Sequence, residues 1–147
     1  MSAASAGKLY TPELLSLATE LANYPLSGEF SHSGEARSKT CGSSIRVGLE
    51  TDDRGGISRL GMAVTACAVG QGSAAIFAAN ACGRNASELA TTLRALENWL
   101  DSADAPMPDW PGFAALRTAR DYPARHGALL LPWRAAAEAL CKADGNG

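Results

Sequence analysis

Two alternating runs joined by a short turn constrain this chain more than any other feature. Ile45, Val47 and Leu49 alternate with Arg46, Gly48 and Glu50. Asp52-Asp53-Arg54-Gly55-Gly56 follows, and then Leu60, Met62, Val64 and Ala66 alternate with Arg59, Gly61, Ala63 and Thr65. A period of two with one apolar face is the mark of a half-buried strand. The Asp/Gly-rich connection is too short for a crossover, so the two strands form an antiparallel hairpin. A lone hairpin cannot bury its own apolar face, and the rest of the chain must cover it.

The rest reads mainly as helix. Thr11-Pro12 opens the first, with Thr as N-cap and Pro at the first helical position. Leu14, Leu15, Leu17, Ala18, Leu21 and Ala22 recur at helical spacing, and Tyr24-Pro25 ends the element. Residues 26–36 are rich in Ser and Gly and read as loop, with a short strand around 36–40. Residues 68–81 form a helix with little bulk beyond Val69, Ile76 and Phe77, which must pack its backbone close to a neighbour. Asn85 and Glu88 have capping-box spacing before a stripe of Leu89, Leu93, Leu96 and Leu100. Three prolines place 101–112 in a loop, and Phe113 and Leu116 suggest a short helix. The last helix is expected to start near Leu130, so that Pro132 falls in its first turn. Trp133, its largest apolar side chain, is expected to be buried against the sheet. The fold class is α+β: a small antiparallel sheet of about three strands with helices packed on one side.

With 147 residues the chain has the length of one domain. The expected layout is a flexible start over 1–9, a single domain over 10–142 and a flexible end over 143–147. Thirteen Lys+Arg against fifteen Asp+Glu give a net charge of −2, which argues against nucleic acid as a partner. No apolar run approaches the roughly 20 residues of a membrane span. The start, MSAASAGKL, lacks the apolar h-region of an export signal, so export is not expected. Four cysteines without such a signal fit a cytoplasmic protein with reduced thiols.

Two of those cysteines sit where chemistry is expected. Cys41 lies in Thr40-Cys41-Gly42-Ser43-Ser44, just before the first hairpin strand, and Cys67 lies where the second strand becomes a helix. The hairpin brings the start of one strand beside the end of the other, so the two thiols are expected at one end of the sheet. A thiol pair beside a helix N-terminus suits a soft metal. The alternative is that both are small buried residues. Cys82 and Cys141 read as incidental thiols and His32 as a solvated loop residue. His126, just before the final helix, is a candidate third metal ligand. Gly70-Gln71-Gly72-Ser73 lacks the Lys-Ser/Thr ending of a phosphate loop, and neither Ser43 nor Ser44 sits in a nucleophile elbow.

At Cys41-Gly42 and Ala66-Cys67-Ala68-Val69 the chain resembles the U-type iron–sulfur scaffold family (IscU, SufU and the N-terminal domain of NifU). Asn23-Tyr24-Pro25-Leu26-Ser27-Gly28 is similar to the family's Tyr-x-x-P-x-x-G-like segment. Gly83-Arg84-Asn85 stands for its Gly-Lys-Ser/Thr-like connection, and Pro123-Ala124-Arg125 through Trp133 for its closing segment. The resemblance runs from about Tyr10 to Leu140. It implies a SufE/NifU-like fold and a non-enzymatic role in iron–sulfur cluster assembly, with a cysteine desulfurase and cluster-acceptor proteins as partners.

It also implies a site of three Cys and one Asp that holds a nascent cluster or zinc. Cys41 and Cys67 match two of the Cys. Ser43 stands in place of the Asp, and Ala128 in place of the third Cys. Two thiolates are half of the four ligands that zinc or cluster iron wants. A homodimer would supply four. Two alternatives stay open: a degenerate paralogue that binds no metal and acts as an interaction module, and a small thiol enzyme using Cys41 or Cys67 with His126 as base.

Overall fold

The hairpin forms in the expected register. In the computed structural model, which describes residues 11–39 and 42–146, with side chains to residue 141, β2 (Ser44–Thr51) pairs antiparallel with β3 (Ile57–Thr65). Ile45 lies opposite Val64, Val47 opposite Met62, and Leu49 opposite Leu60. Ile45, Val47, Leu49, Leu60 and Met62 are buried. Among the described residues the sheet has three strands in the order β1-β2-β3, because β1 (His32–Arg37) pairs antiparallel with the free edge of β2.

β1 corrects the sequence reading, which made most of this stretch a loop. Its composition, His-Ser-Gly-Glu-Ala-Arg, is poor in strand formers for a reason visible in three dimensions. Gly34 faces the last helix so closely that a Cβ there would overlap the carbonyl oxygen of Ala135 and lie 2.9 Å from the backbone nitrogen of Ala139. The strand gives up side-chain bulk so that two backbones can touch.

Helices cover one face of this sheet. α1 (Pro12–Thr19) starts as expected, with Pro12 in its first turn and the Thr11 hydroxyl accepting from Leu14 N–H at 3.1 Å. A 3₁₀ turn over Glu20–Asn23 follows, and Tyr24 ends the element. α2 (Ala68–Asn80) is the small-residue helix, and two stripes on it serve two neighbours. Gly72 leaves room for Leu14 of α1. Gly70, Ser73 and Phe77, at i, i+3 and i+7, meet Ala128, Leu129 and Trp133 respectively. α3 (Ala86–Asp101) has the full capping box between Asn85 and Glu88. A 3₁₀ segment over Phe113–Asp121 then leads through Pro123–Arg125 into α4 (His126–Asn146).

α4 packs against β1 and β2 on one side and against α2 and α3 on the other. It begins at His126, four residues before the expected start, so Pro132 lies in the helix interior. Proline there removes the N–H that would bond the carbonyl four residues back. That carbonyl belongs to Ala128; beside it the buried Ser73 hydroxyl donates to the Leu129 carbonyl at 2.6 Å and ties this turn of α4 to α2. Ser73→Ala is expected to lower stability by about 1 kcal/mol, the net worth of a buried hydrogen bond. A urea-denaturation midpoint unchanged from the parent protein would show that the bond has no such role.

Trp133 is fully buried, as expected, but not against the sheet. Ala135, two residues on and about 200° round the helix given 3.6 residues per turn, takes that side. The Trp133 ring instead meets Phe77, Trp110 and Phe113, with centroids 5.5, 5.3 and 6.1 Å away and edge-to-face geometry throughout. The opposite face of the sheet is crossed by the chain between α1 and β1. Tyr24 accepts from Met62 N–H at the β3 edge, and the Phe30 ring covers the paired glycines Gly48 and Gly61. The Arg59 guanidinium lies 4.1 Å above that ring.

Candidate functional site

The site is built where three elements begin or end together. Ser44 is opposite Thr65, so Ser43 and Ala66 enter and leave the sheet side by side. Cys67 follows as the N-cap residue of α2, half-buried, with extended backbone (φ −67°, ψ 174°) and no side-chain capping bond of its own. Its sulfur is therefore not used to hold the helix. The start of α4 closes the third side. A Cβ at Gly70 would lie 2.6 Å from Ala66 Cβ and 3.4 Å from Ala128 Cβ. Ala66, Gly70 and Ala128 thus converge one turn beyond Cys67, and only the missing Cβ at position 70 lets them do so.

Cys41 lies outside the described residues. The described residues on either side of it are tied to each other: Ser38 N–H donates to the Ser43 carbonyl at 2.8 Å, and Gly42 N–H to the Ser38 carbonyl at 3.2 Å. Gly42 has φ +70°, which favours glycine, while nothing crowds its Cβ position. The Cys-Gly pair therefore has a backbone reason as well as a chemical one.

The positions that set this chain apart from a four-ligand site are both buried. Ser43 is 3% exposed and Ala128 is fully covered. His126 lies elsewhere. It is two residues before Ala128, about 200° round α4. Its Nε2 is 2.7 Å from the Arg120 carbonyl, and it borders a cleft with Glu97, Asp101 and Arg134. Cys82 and Cys141 are exposed free thiols; Cys82 precedes Gly83, whose N–H donates to the Ile57 carbonyl at the far end of β3, and Cys141 lies beside Ala86 and Ala90 of α3. Among the described residues no three His, Cys, Asp or Glu side chains are grouped as a metal cage.

One residue with a positioning role escaped the sequence reading. Gln71 donates through its backbone N–H to the Cys67 carbonyl at 2.9 Å and through Nε2 to the Ala66 carbonyl at 2.8 Å. It ties down the peptides on both sides of Cys67. Its sequence signal is a long amide side chain four residues after an N-cap cysteine, inside the glycine-rich run 70–73.

No family model matches the sequence, and no curated protein matches it. Solved structures do. The chain is similar to the N-terminal part of a nitrogen-fixing NifU-like protein from Brucella abortus, with a TM-score of 0.87, 28% identity, and coverage of 97% of this chain and 99% of that one. It also shares its fold with a protein assigned as the SUF-system iron–sulfur cluster assembly scaffold of the thermophile Fervidobacterium islandicum AW-1. There the TM-score is 0.76 at 17% identity, covering 90% of this chain and 97% of that one. The α+β fold expected from the sequence and its resemblance to the U-type scaffolds both hold. Among the described residues no helix is long and apolar enough to cross a membrane.

Proposed function

We propose that this chain, a relative of the U-type iron–sulfur scaffolds, takes part in iron–sulfur cluster assembly as a non-catalytic protein that accepts sulfur or a nascent cluster through Cys41 and Cys67. The observation that carries the reading is the placement of Cys67. It is an uncommitted thiol at a helix N-terminus, beside the strand that Cys41-Gly42 leads into, in a fold matched over nearly its whole length by the NifU-like structure. The partners this implies are a cysteine desulfurase and cluster-acceptor proteins, in a reducing cytoplasm. As a sulfur acceptor, a cysteine thiolate would attack the outer sulfur of a donor persulfide. The new S–S bond forms as the donor's S–S bond breaks, and the donor leaves as a thiolate.

The residues at the remaining ligand positions limit what one chain holds. Alanine offers no ligand, and a serine hydroxyl is a poor one at neutral pH. Two thiolates would complete a cluster's coordination only with ligands from a second chain or a partner. Zinc, which prefers four closed positions, is held weakly in this reading.

Anaerobic reconstitution with ferrous iron and sulfide, followed by absorbance and metal analysis, tests it. The parent protein is expected to retain iron and sulfide in a Cys-dependent way, with Cys41→Ala and Cys67→Ala each abolishing retention. Retention that survives both substitutions, or a parent protein that holds neither iron nor sulfur, would remove the reading. In the latter case the metal-free interaction module becomes the better account, and the buried Ala128 is the feature that favours it.

A further inference from the structure

We infer that the groove between α1, α2 and the 111–115 segment is a docking site for a basic, apolar peptide segment of a partner protein. The groove has a volume of about 390 Å³ and is distinct from the Cys67 end of the sheet. Its floor is apolar, made by Leu17, Ile76 and Ala79, with Pro111 on the far wall. Glu13 of α1 and Glu20 of the 3₁₀ turn after it border the groove, and among the described residues no cationic side chain does. Neither carboxylate has an ion-pair partner among the described residues.

Charge and spacing together define the occupant. Glu13 and Glu20 are seven residues apart, and at 1.5 Å per residue their Cα atoms are separated by roughly 10 Å along the helix. Three residues of polyproline II chain span about the same distance at 3.1 Å each and return the side chain to the same face. A segment of the form basic-x-x-basic, with apolar residues between, would set both cations on the carboxylates and its apolar side chains on the floor. An acidic or uncharged polar segment would leave two carboxylates facing like charge or losing water without return.

The small residues of α2 fit this reading. Gly70, Ser73 and Phe77 are used against α4 and Gly72 against α1, which accounts for that side of the helix. The exposed Ala79 and the buried Ala75 line the groove on the other side. The floor belongs to the helix that Cys67 caps. A partner seated there would be held within about 20 Å of the thiol, since nine residues of helix separate Cys67 from Ile76.

The test uses the full chain and a fluorescein-labelled peptide, Gly-Arg-Leu-Val-Arg-Gly, followed by fluorescence anisotropy at low salt. Saturable binding is expected. It should weaken about tenfold in the Glu13→Lys/Glu20→Lys double variant and fall with added salt. Ala79→Arg, which puts bulk and positive charge into the groove, should abolish it. Both variants change exposed positions or groove edges, and an unchanged melting temperature confirms that they fold. Equal binding of Gly-Glu-Leu-Val-Glu-Gly, no binding at all, or binding that ignores the double variant would each overturn the proposal. So would concentration-dependent self-association of the parent chain that the double variant abolishes, because the groove would then belong to a second copy. Iron and sulfide retention does not depend on this groove, so the two readings fail separately.

Discussion

Replacing Gly34 by alanine is expected to destabilise the protein by about 3 kcal/mol or more, at the upper end of what overpacking costs. The reason is what the added methyl would meet. At position 34 it meets backbone, the Ala135 carbonyl and the Ala139 nitrogen, inside the helix that holds the core together. Backbone in mid-helix cannot rotate away as a side chain can. β1 would have to lift from α4, and among the described strands it pairs with β2 alone. Gly48→Ala is the comparison. There the methyl would come within 2.5 Å of the Phe30 ring, a side chain in a connecting segment rather than helix backbone. Both variants add the same atom to the same sheet, so a difference in urea midpoint isolates the hardness of the neighbour. Equal midpoints, or a Gly34→Ala protein as stable as the parent, would mean that the β1–α4 approach is loose.

The same contact explains what the sequence made easy and hard to read. The hairpin was legible because its alternation depends only on one wet and one dry face. Asn85 and Glu88 were legible because a capping box is a local device, completed within four residues. β1 was not, because its glycine answers to a helix a hundred residues later in the chain. Pro132 misled for a related reason. Proline is cheap in a first turn, so the helix start was placed around it. The actual helix begins at His126 and carries the proline inside, next to a turn where Ser73 supplies a donor from another element.

That misplaced start also governs the candidate site. Cys67 was legible as the residue at a strand-to-helix junction, since both flanking periodicities are clear. Which way His126 faces depends on the phase of α4, and the phase is fixed by where the helix begins. With the helix starting at His126, Ala128 turns toward α2 and His126 toward the Arg120 carbonyl. Sequence proximity of the two had suggested that one could stand in for the other.

Trp133→Ala is expected to cost about 3–5 kcal/mol, the usual range for emptying a large buried aromatic position. Three rings from three other parts of the chain meet there. Phe77 comes from α2, Trp110 from the loop after α3, and Phe113 from the 3₁₀ segment. Truncation removes their common partner, and because Phe77 and Trp110 also stack on each other at 5.5 Å, neither can move in without breaking that pair. The cavity should therefore persist and add its own cost to the lost transfer energy. The indole nitrogen sharpens the prediction. Among the described residues, Trp133 Nε1 is buried and has no hydrogen-bond partner, whereas Trp110 Nε1 donates to the Ile76 carbonyl at 3.0 Å. Trp133→Phe gives up ring area but also removes an unpaired buried donor, so it should cost less than about 1.5 kcal/mol. Trp110→Phe loses similar area together with a buried hydrogen bond to the Ile76 carbonyl, so it should cost more. Denaturation midpoints for the three variants test the order: Trp133→Ala most destabilised, Trp110→Phe intermediate, Trp133→Phe least. If Trp133→Phe proved as costly as Trp110→Phe, the Trp133 N–H would have to be making a bond of equal worth, and the core would be wetter at this point than its packing indicates.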